Sequence, residues 1–132
     1  MTHHILDTDC IVDLLAGIST SVDFVRQLVL DGATPCTCAV VLGEVYSGLR
    51  PHKREQAVEL LGAMLFLETS AEMAERAGDW RYAFARRGVT LAMTDCLIAA
   101  TAEGHEAGVV TGNLKDFPMA QLRIVPLPRP LR

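Results

Sequence analysis

The segment His4-Ile5-Leu6-Asp7-Thr8-Asp9-Cys10-Ile11-Val12-Asp13-Leu14-Leu15 carries the first strand-to-helix unit of the chain, and the fold follows from it. Its opening residues form a short β-like run over 4–6. The remainder repeats apolar side chains at helical spacing, with Thr8 or Asp9 placed to cap a helix that Gly17 ends. The junction is the unusual part. Asp7 stands between an apolar strand and an apolar helix, and a lone carboxylate in such a place is costly unless it is paired, capped or facing a cation.

The alternation continues outward from there. A helix starts at Thr20 and Asp23, with Phe24, Val25, Leu28 and Val29 on its apolar face, and ends at the Asp31-Gly32 turn. A strand over 35–37 leads into a helix over 38–49, which Pro51 and the cluster His52-Lys53-Arg54 break. Further along come a helix over 55–64, a strand over 65–68, and a helix to about residue 87. That last helix opens on a capping box of Thr69 and Glu72 and is ended by Gly88. Thr94 caps a helix containing Cys96-Leu97-Ile98-Ala99-Ala100 and running to Gly104. Strands over 108–111 and 123–125 follow, before a proline-rich tail at Pro126, Pro128 and Pro130. Strands separated by helices predict a three-layer α/β/α sandwich with a mainly parallel sheet of about five strands. At 132 residues this is one domain, 1–132.

Composition excludes several classes. Half the residues are apolar, which argues against disorder. Asp13, Asp23, Arg26 and Asp31 interrupt the early apolar stretches, so no membrane span is expected. The start Met1-Thr2-His3-His4 lacks the pattern of a secretory leader, and a cytoplasmic location is the expectation. Cys10, Cys36, Cys38 and Cys96 lack zinc-knuckle spacing and lie in apolar segments, as reduced buried thiols do. The net charge of -4 reflects 16 acids against 12 bases, and setting aside four acids leaves the chain balanced. Such a balance supports no broad nucleic-acid-binding face, only a local basic patch.

The four acids are Asp7, Glu44, Asp95 and Asp116. Glu44 interrupts Ala39-Val40-Val41-Leu42-Gly43, Asp95 precedes an apolar helix, and Asp116 closes Thr111-Gly112-Asn113-Leu114-Lys115-Asp116-Phe117. In a parallel α/β sheet, ligands gather beyond the carboxyl ends of the strands, and each acid falls at or near such an end. Capping alone would account for an acid in a first helical turn such as Asp95. Four converging carboxylates with no histidine among them suit a hard cation, Mg2+ or Mn2+, more than zinc. One ion needs two or three of them, whereas a two-metal site that activates water at a phosphodiester uses all four. Thr8, Asp9, Thr111 and Asn113 are the expected supporting residues, with Phe117 anchoring the last loop. Gly48, four residues after Glu44, is expected to permit close backbone approach. Arg50, Lys53, Arg54, Arg86, Arg87 and Lys115 are candidate phosphate contacts, and Trp80, Tyr82 and Phe84 are read as serving packing or a partner surface rather than base stacking.

Four motifs, in order along the whole chain, resemble those of PIN-domain ribonucleases, and in particular the VapC-type toxins of VapBC type II toxin–antitoxin systems. They are Ile5-Leu6-Asp7-Thr8-Asp9, Glu44-Val45-Tyr46-Ser47-Gly48, Thr94-Asp95-Cys96-Leu97-Ile98-Ala99-Ala100 and Thr111-Gly112-Asn113-Leu114-Lys115-Asp116-Phe117. One departure is a short fourth loop with Gly112 where a bulkier or basic residue is common. The resemblance implies a Mg2+- or Mn2+-dependent endoribonuclease with Asp7, Glu44, Asp95 and Asp116 as its catalytic, metal-holding acids. It further implies a homodimer, and a VapB-like antitoxin that joins it in a hetero-oligomer and obstructs the site. A DNA or flap nuclease of the same chemistry and a catalytically inactive PIN-like binding module are the competing readings.

Overall fold

The computed structural model describes residues 2–128. Five strands form one sheet in the order β3-β2-β1-β4-β5, every adjacent pair parallel. The strands are β1 (Thr2–Leu6), β2 (Ala33–Cys38), β3 (Leu65–Leu67), β4 (Gly108–Thr111) and β5 (Ile124–Pro126). Six α-helices connect them: α1 (Thr8–Leu15), α2 (Ser19–Leu30), α3 (Ala39–Ser47), α4 (Arg54–Gly62), α5 (Ala71–Arg86) and α6 (Met93–Gly104). The result is the expected α/β/α sandwich.

The strand order explains where a site can form. From β1 the chain builds outward through β2 to β3, then returns to lay β4 on the other side of β1. The connections leaving the carboxyl ends of β1 and β4, helix α1 from the first and a loop with a short 3₁₀ turn from the second, therefore lead to opposite sides, and a crevice opens between them. The core that holds this edge in place is fully buried: Ile5 and Leu6 on β1, Val109 and Val110 on β4, Cys10 and Ile11 on α1, Val41 on α3, and Cys96, Ile98 and Ala99 on α6. All four cysteines are buried and free, as expected. Among the described residues, no helix is long and apolar enough to cross a membrane.

Several local expectations change. Asp7, rather than Thr8 or Asp9, is the N-cap of α1, and its Oδ1 accepts from the Thr8 N–H at 2.8 Å. Ser70, rather than Thr69, caps α5, accepting from the Met73 N–H at 3.1 Å. The Thr69 hydroxyl instead lies 2.6 Å from that of Thr101, which itself donates to the Leu97 carbonyl. Thr94 caps nothing: Ala92 holds the N-cap of α6 without a side-chain bond. Helix α3 stops at Ser47, and Gly48 follows as its C-cap at φ -102. A Cβ there would meet only the Glu44 carbonyl, at 3.9 Å, so no neighbouring backbone requires this glycine. Strand β2 is longer than expected and contains Pro35, tolerated because β3 begins to pair only at Cys36. Of the proline-rich tail, Pro126 closes β5 and Pro130 lies outside the described residues.

Candidate active site

Asp7 extends the β1–β4 ladder by one step, its N–H donating to the Val110 carbonyl at 2.9 Å. That places its buried carboxylate between the two central strands, at the head of α1. Oδ1 receives the Thr8 N–H, and Oδ2 receives the Thr111 hydroxyl at 2.7 Å from a residue 104 positions away. Burial still pushes the Asp7 carboxyl above its ordinary range. The hydrogen bonds from Thr111 and Thr8 oppose that rise, while the charges of Asp9 and Glu44 add to it.

Hydroxyls and amides tie the other motifs to this centre. The Thr8 hydroxyl donates to Glu44 Oε1 at 2.7 Å, joining α1 to α3. Thr111 Oγ1 accepts from the Asn113 N–H at 3.0 Å while donating to Asp7, so one hydroxyl orders both β1 and the last loop. Asp9 Oδ2 accepts from the Gly112 N–H at 2.9 Å and from Asn113 Nδ2 at 3.2 Å. Leu114–Asp116 forms a single 3₁₀ turn, closed as the Asp116 N–H donates to the Asn113 carbonyl at 3.0 Å. Phe117 is buried behind it and anchors the loop as expected.

Asp95 lies half-buried in the first turn of α6. Its carboxyl is raised from the usual 3.8 to about 7. Burial is the main cause, followed by the charges of Asp116, Asp7, Glu44 and Asp9. All four predicted acids and Asp9 therefore share one electrostatic field. Asp7, Glu44, Asp95 and Asp116 take part in neither the Arg26–Asp23 nor the Arg76–Glu103 ion pair.

Among the described residues, no three such side chains close on a single point as a formed metal cage. The two observations are compatible. Carboxylates that feel one another repel, and Mg2+ in particular is held by one or two carboxylates with water completing its shell. On donor chemistry and charge the group fits a hard divalent cation.

The basic residues are less gathered. Arg50 and Lys53 line a groove of about 210 Å³ next to Glu44, floored by Val12, Leu15, Val45 and Leu49. Lys53 Nζ donates to the Leu15 carbonyl there, at 3.1 Å. Arg54 stacks over Tyr46, Arg86 over Tyr82 and Arg87 over Phe84, with guanidinium-to-ring distances of 4.9, 5.2 and 4.4 Å. Lys115 sits in the 3₁₀ turn between Asn113 and Asp116. Trp80 is buried, as a packing residue should be, whereas Tyr82 is 65% exposed. Sequence reasoning did not foresee the groove, although the exposed Val12 on an otherwise core-facing helix is its trace.

A model of the PIN domain matches residues 4–119. Ribonuclease VapC10 of Mycobacterium tuberculosis is 29% identical over 116 residues, covering 87% of this chain and 86% of that protein. Ribonuclease VapC19 of the same species is 27% identical over 117 residues, covering 87% and 92%. Among solved structures, the DNA-bound VapBC of Salmonella typhimurium superposes with a TM-score of 0.80 at 24% identity, over 96% of this chain and 99% of that one. That likeness speaks for the fold.

Proposed function

Because the chain belongs to the PIN-domain family, we propose that it is the toxin of a type II toxin–antitoxin system, a divalent-metal-dependent endoribonuclease. The observation that carries the reading is Asp95, lifted to about 7 by burial and, beyond that, by the joint charge of Asp116, Asp7, Glu44 and Asp9. A fold has little structural reason to bear that repulsion, and a cation removes it.

Asp7, Glu44, Asp95 and Asp116 would hold Mg2+ or Mn2+. The ion, when bound, supplies positive charge at the scissile phosphate and makes the attacking water more acidic. The chain's own residues do the rest. Thr111 and the Thr8 amide fix the Asp7 carboxylate from both sides, and the Thr8 hydroxyl holds Glu44 in one orientation. An ionised Asp7 is an acceptor only, and both its oxygens receive donors, so these hydrogen bonds oppose the rise that burial imposes on its carboxyl. Arg50, Lys53 and Lys115 stand near these acids in groove or loop, and they offer the phosphate contacts that an RNA backbone requires. The apolar floor beside Glu44 gives a VapB-like antitoxin a hold next to the acids, where it would obstruct them.

The test is cleavage of total cellular RNA and of matched RNA and DNA oligonucleotides, with Mg2+, with Mn2+ and with chelator. RNA cut only in the presence of the ion is expected, and Asp7→Asn should lower the rate by on the order of 100-fold or more. Unchanged cleavage by that variant would sink the mechanism. Preference for DNA would move the reading to a DNA or flap nuclease, and no cleavage of either polymer would leave a binding module.

A further inference from the structure

Asp9 is a fifth carboxylate in this crowd, and its charge adds to the burden on both Asp7 and Asp95. A ligand to the cation and a structural clamp are two distinct reasons to keep it. The hydrogen bonds to Oδ2 supply the clamp directly. Its Oδ2 accepts from the Gly112 N–H and from Asn113 Nδ2, two donors of the loop leaving β4. Asn113 in turn gives its backbone N–H to Thr111 and its carbonyl to the Asp116 N–H. Every step from Asp9 to Asp116 is therefore a fixed contact.

We propose that Asp9 is a positioning residue: its carboxylate clamps the Gly112–Asn113 peptide segment and thereby sets where Asp116 stands, and it is not itself a metal ligand. The inference rests on the reading of Asp116 as part of a cation site, and it concerns how that site is assembled.

Asparagine keeps an oxygen acceptor at this position and alanine keeps none, so the pair of variants separates the clamp from a ligand. Mn2+ binding to the wild type, Asp9→Asn, Asp9→Ala, Asp116→Asn and the Asp9→Ala/Asp116→Asn double variant is measured by electron paramagnetic resonance. Asp9→Asn should hold Mn2+ within about three-fold of wild type, the residue being the loss of one nearby charge. Asp9→Ala should weaken binding by roughly 10- to 100-fold, as removal of an orienting partner does. It should add little once Asp116 is already changed. Hydrogen exchange at the Gly112 amide should stay slow in Asp9→Asn and become fast in Asp9→Ala. A loss in Asp9→Asn as large as in Asp9→Ala, or losses that multiply in the double variant, would make Asp9 a ligand and overturn the proposal. Unaltered Gly112 exchange in Asp9→Ala would overturn it too. The exchange result stands whether or not the protein cuts RNA, so failure of the nuclease reading is distinguishable from failure of the clamp.

Discussion

A single side chain, Asp95, concentrates the electrostatics of this protein. Its carboxyl titrates near 7 in the folded chain, against 3.8 ordinarily, so between those values the folded state binds the proton more tightly than the unfolded one. Stability from this group is fully present below the ordinary value and is lost as pH rises through about 7. Metal-free protein should therefore melt at lower temperature at pH 8 than at pH 5.5, to an extent that Asp95→Asn reduces. For a half-exposed group, solvent screening leaves an effect on the order of 1–2 kcal/mol. Calorimetry of both proteins across that range is the check, and an equal pH slope in the two would count against the shared field. His4, in the middle of β1, works in the opposite sense. Burial and the charge of Arg123 hold its ring below the ordinary value, so its neutral form is the one the fold favours.

At the scale of elements, caps and loops show how far near-neighbour reasoning reaches. Residue 70 carries the α5 cap because its hydroxyl meets the Met73 N–H, while Thr69, an equally good capping type, is drawn away by Thr101. Ser70→Ala should cost about 1 kcal/mol in denaturant unfolding, and Thr69→Ala should leave the cap intact. A larger loss from Thr69→Ala that transfers to Thr101→Ala would identify the hydroxyl pair as the tie between the β3–α5 loop and α6. Helix α1 makes the same point with more at stake. The sequence offered Thr8 and Asp9 as caps, and tertiary partners claimed both: Glu44 took the Thr8 hydroxyl, and the loop after β4 took Asp9. Asp7 then caps the helix by its own backbone position. Side chains of the capping types were recognisable from sequence; which amide each would reach was not.

Over the whole molecule, the parallel order β3-β2-β1-β4-β5 brings residues from both ends of the chain to one rim. A cation bound there stabilises the folded state alone, since the unfolded chain has no such cluster. Mn2+ at about 100 times its dissociation constant should raise the melting temperature by roughly 10 °C, and Asp7→Asn or Asp95→Asn should abolish most of the rise. An unchanged melting temperature in saturating Mn2+ would count against a cation site. The fold class was legible because it depends on short-range pattern: apolar runs of strand length, apolar stripes of helical period, and breakers such as Pro51 and Gly88 between them. The four acids were legible because a carboxylate in an apolar segment is conspicuous whatever the fold. The tertiary structure alone decided that β4 lies beside β1, and hence that Thr111 meets Asp7 and Gly112 meets Asp9. Strand order is a matter of which distant segments pair, and no local spacing encodes it. The sequence by itself named the charged groups, and the register of the sheet chose the hydrogen-bond donors that hold them.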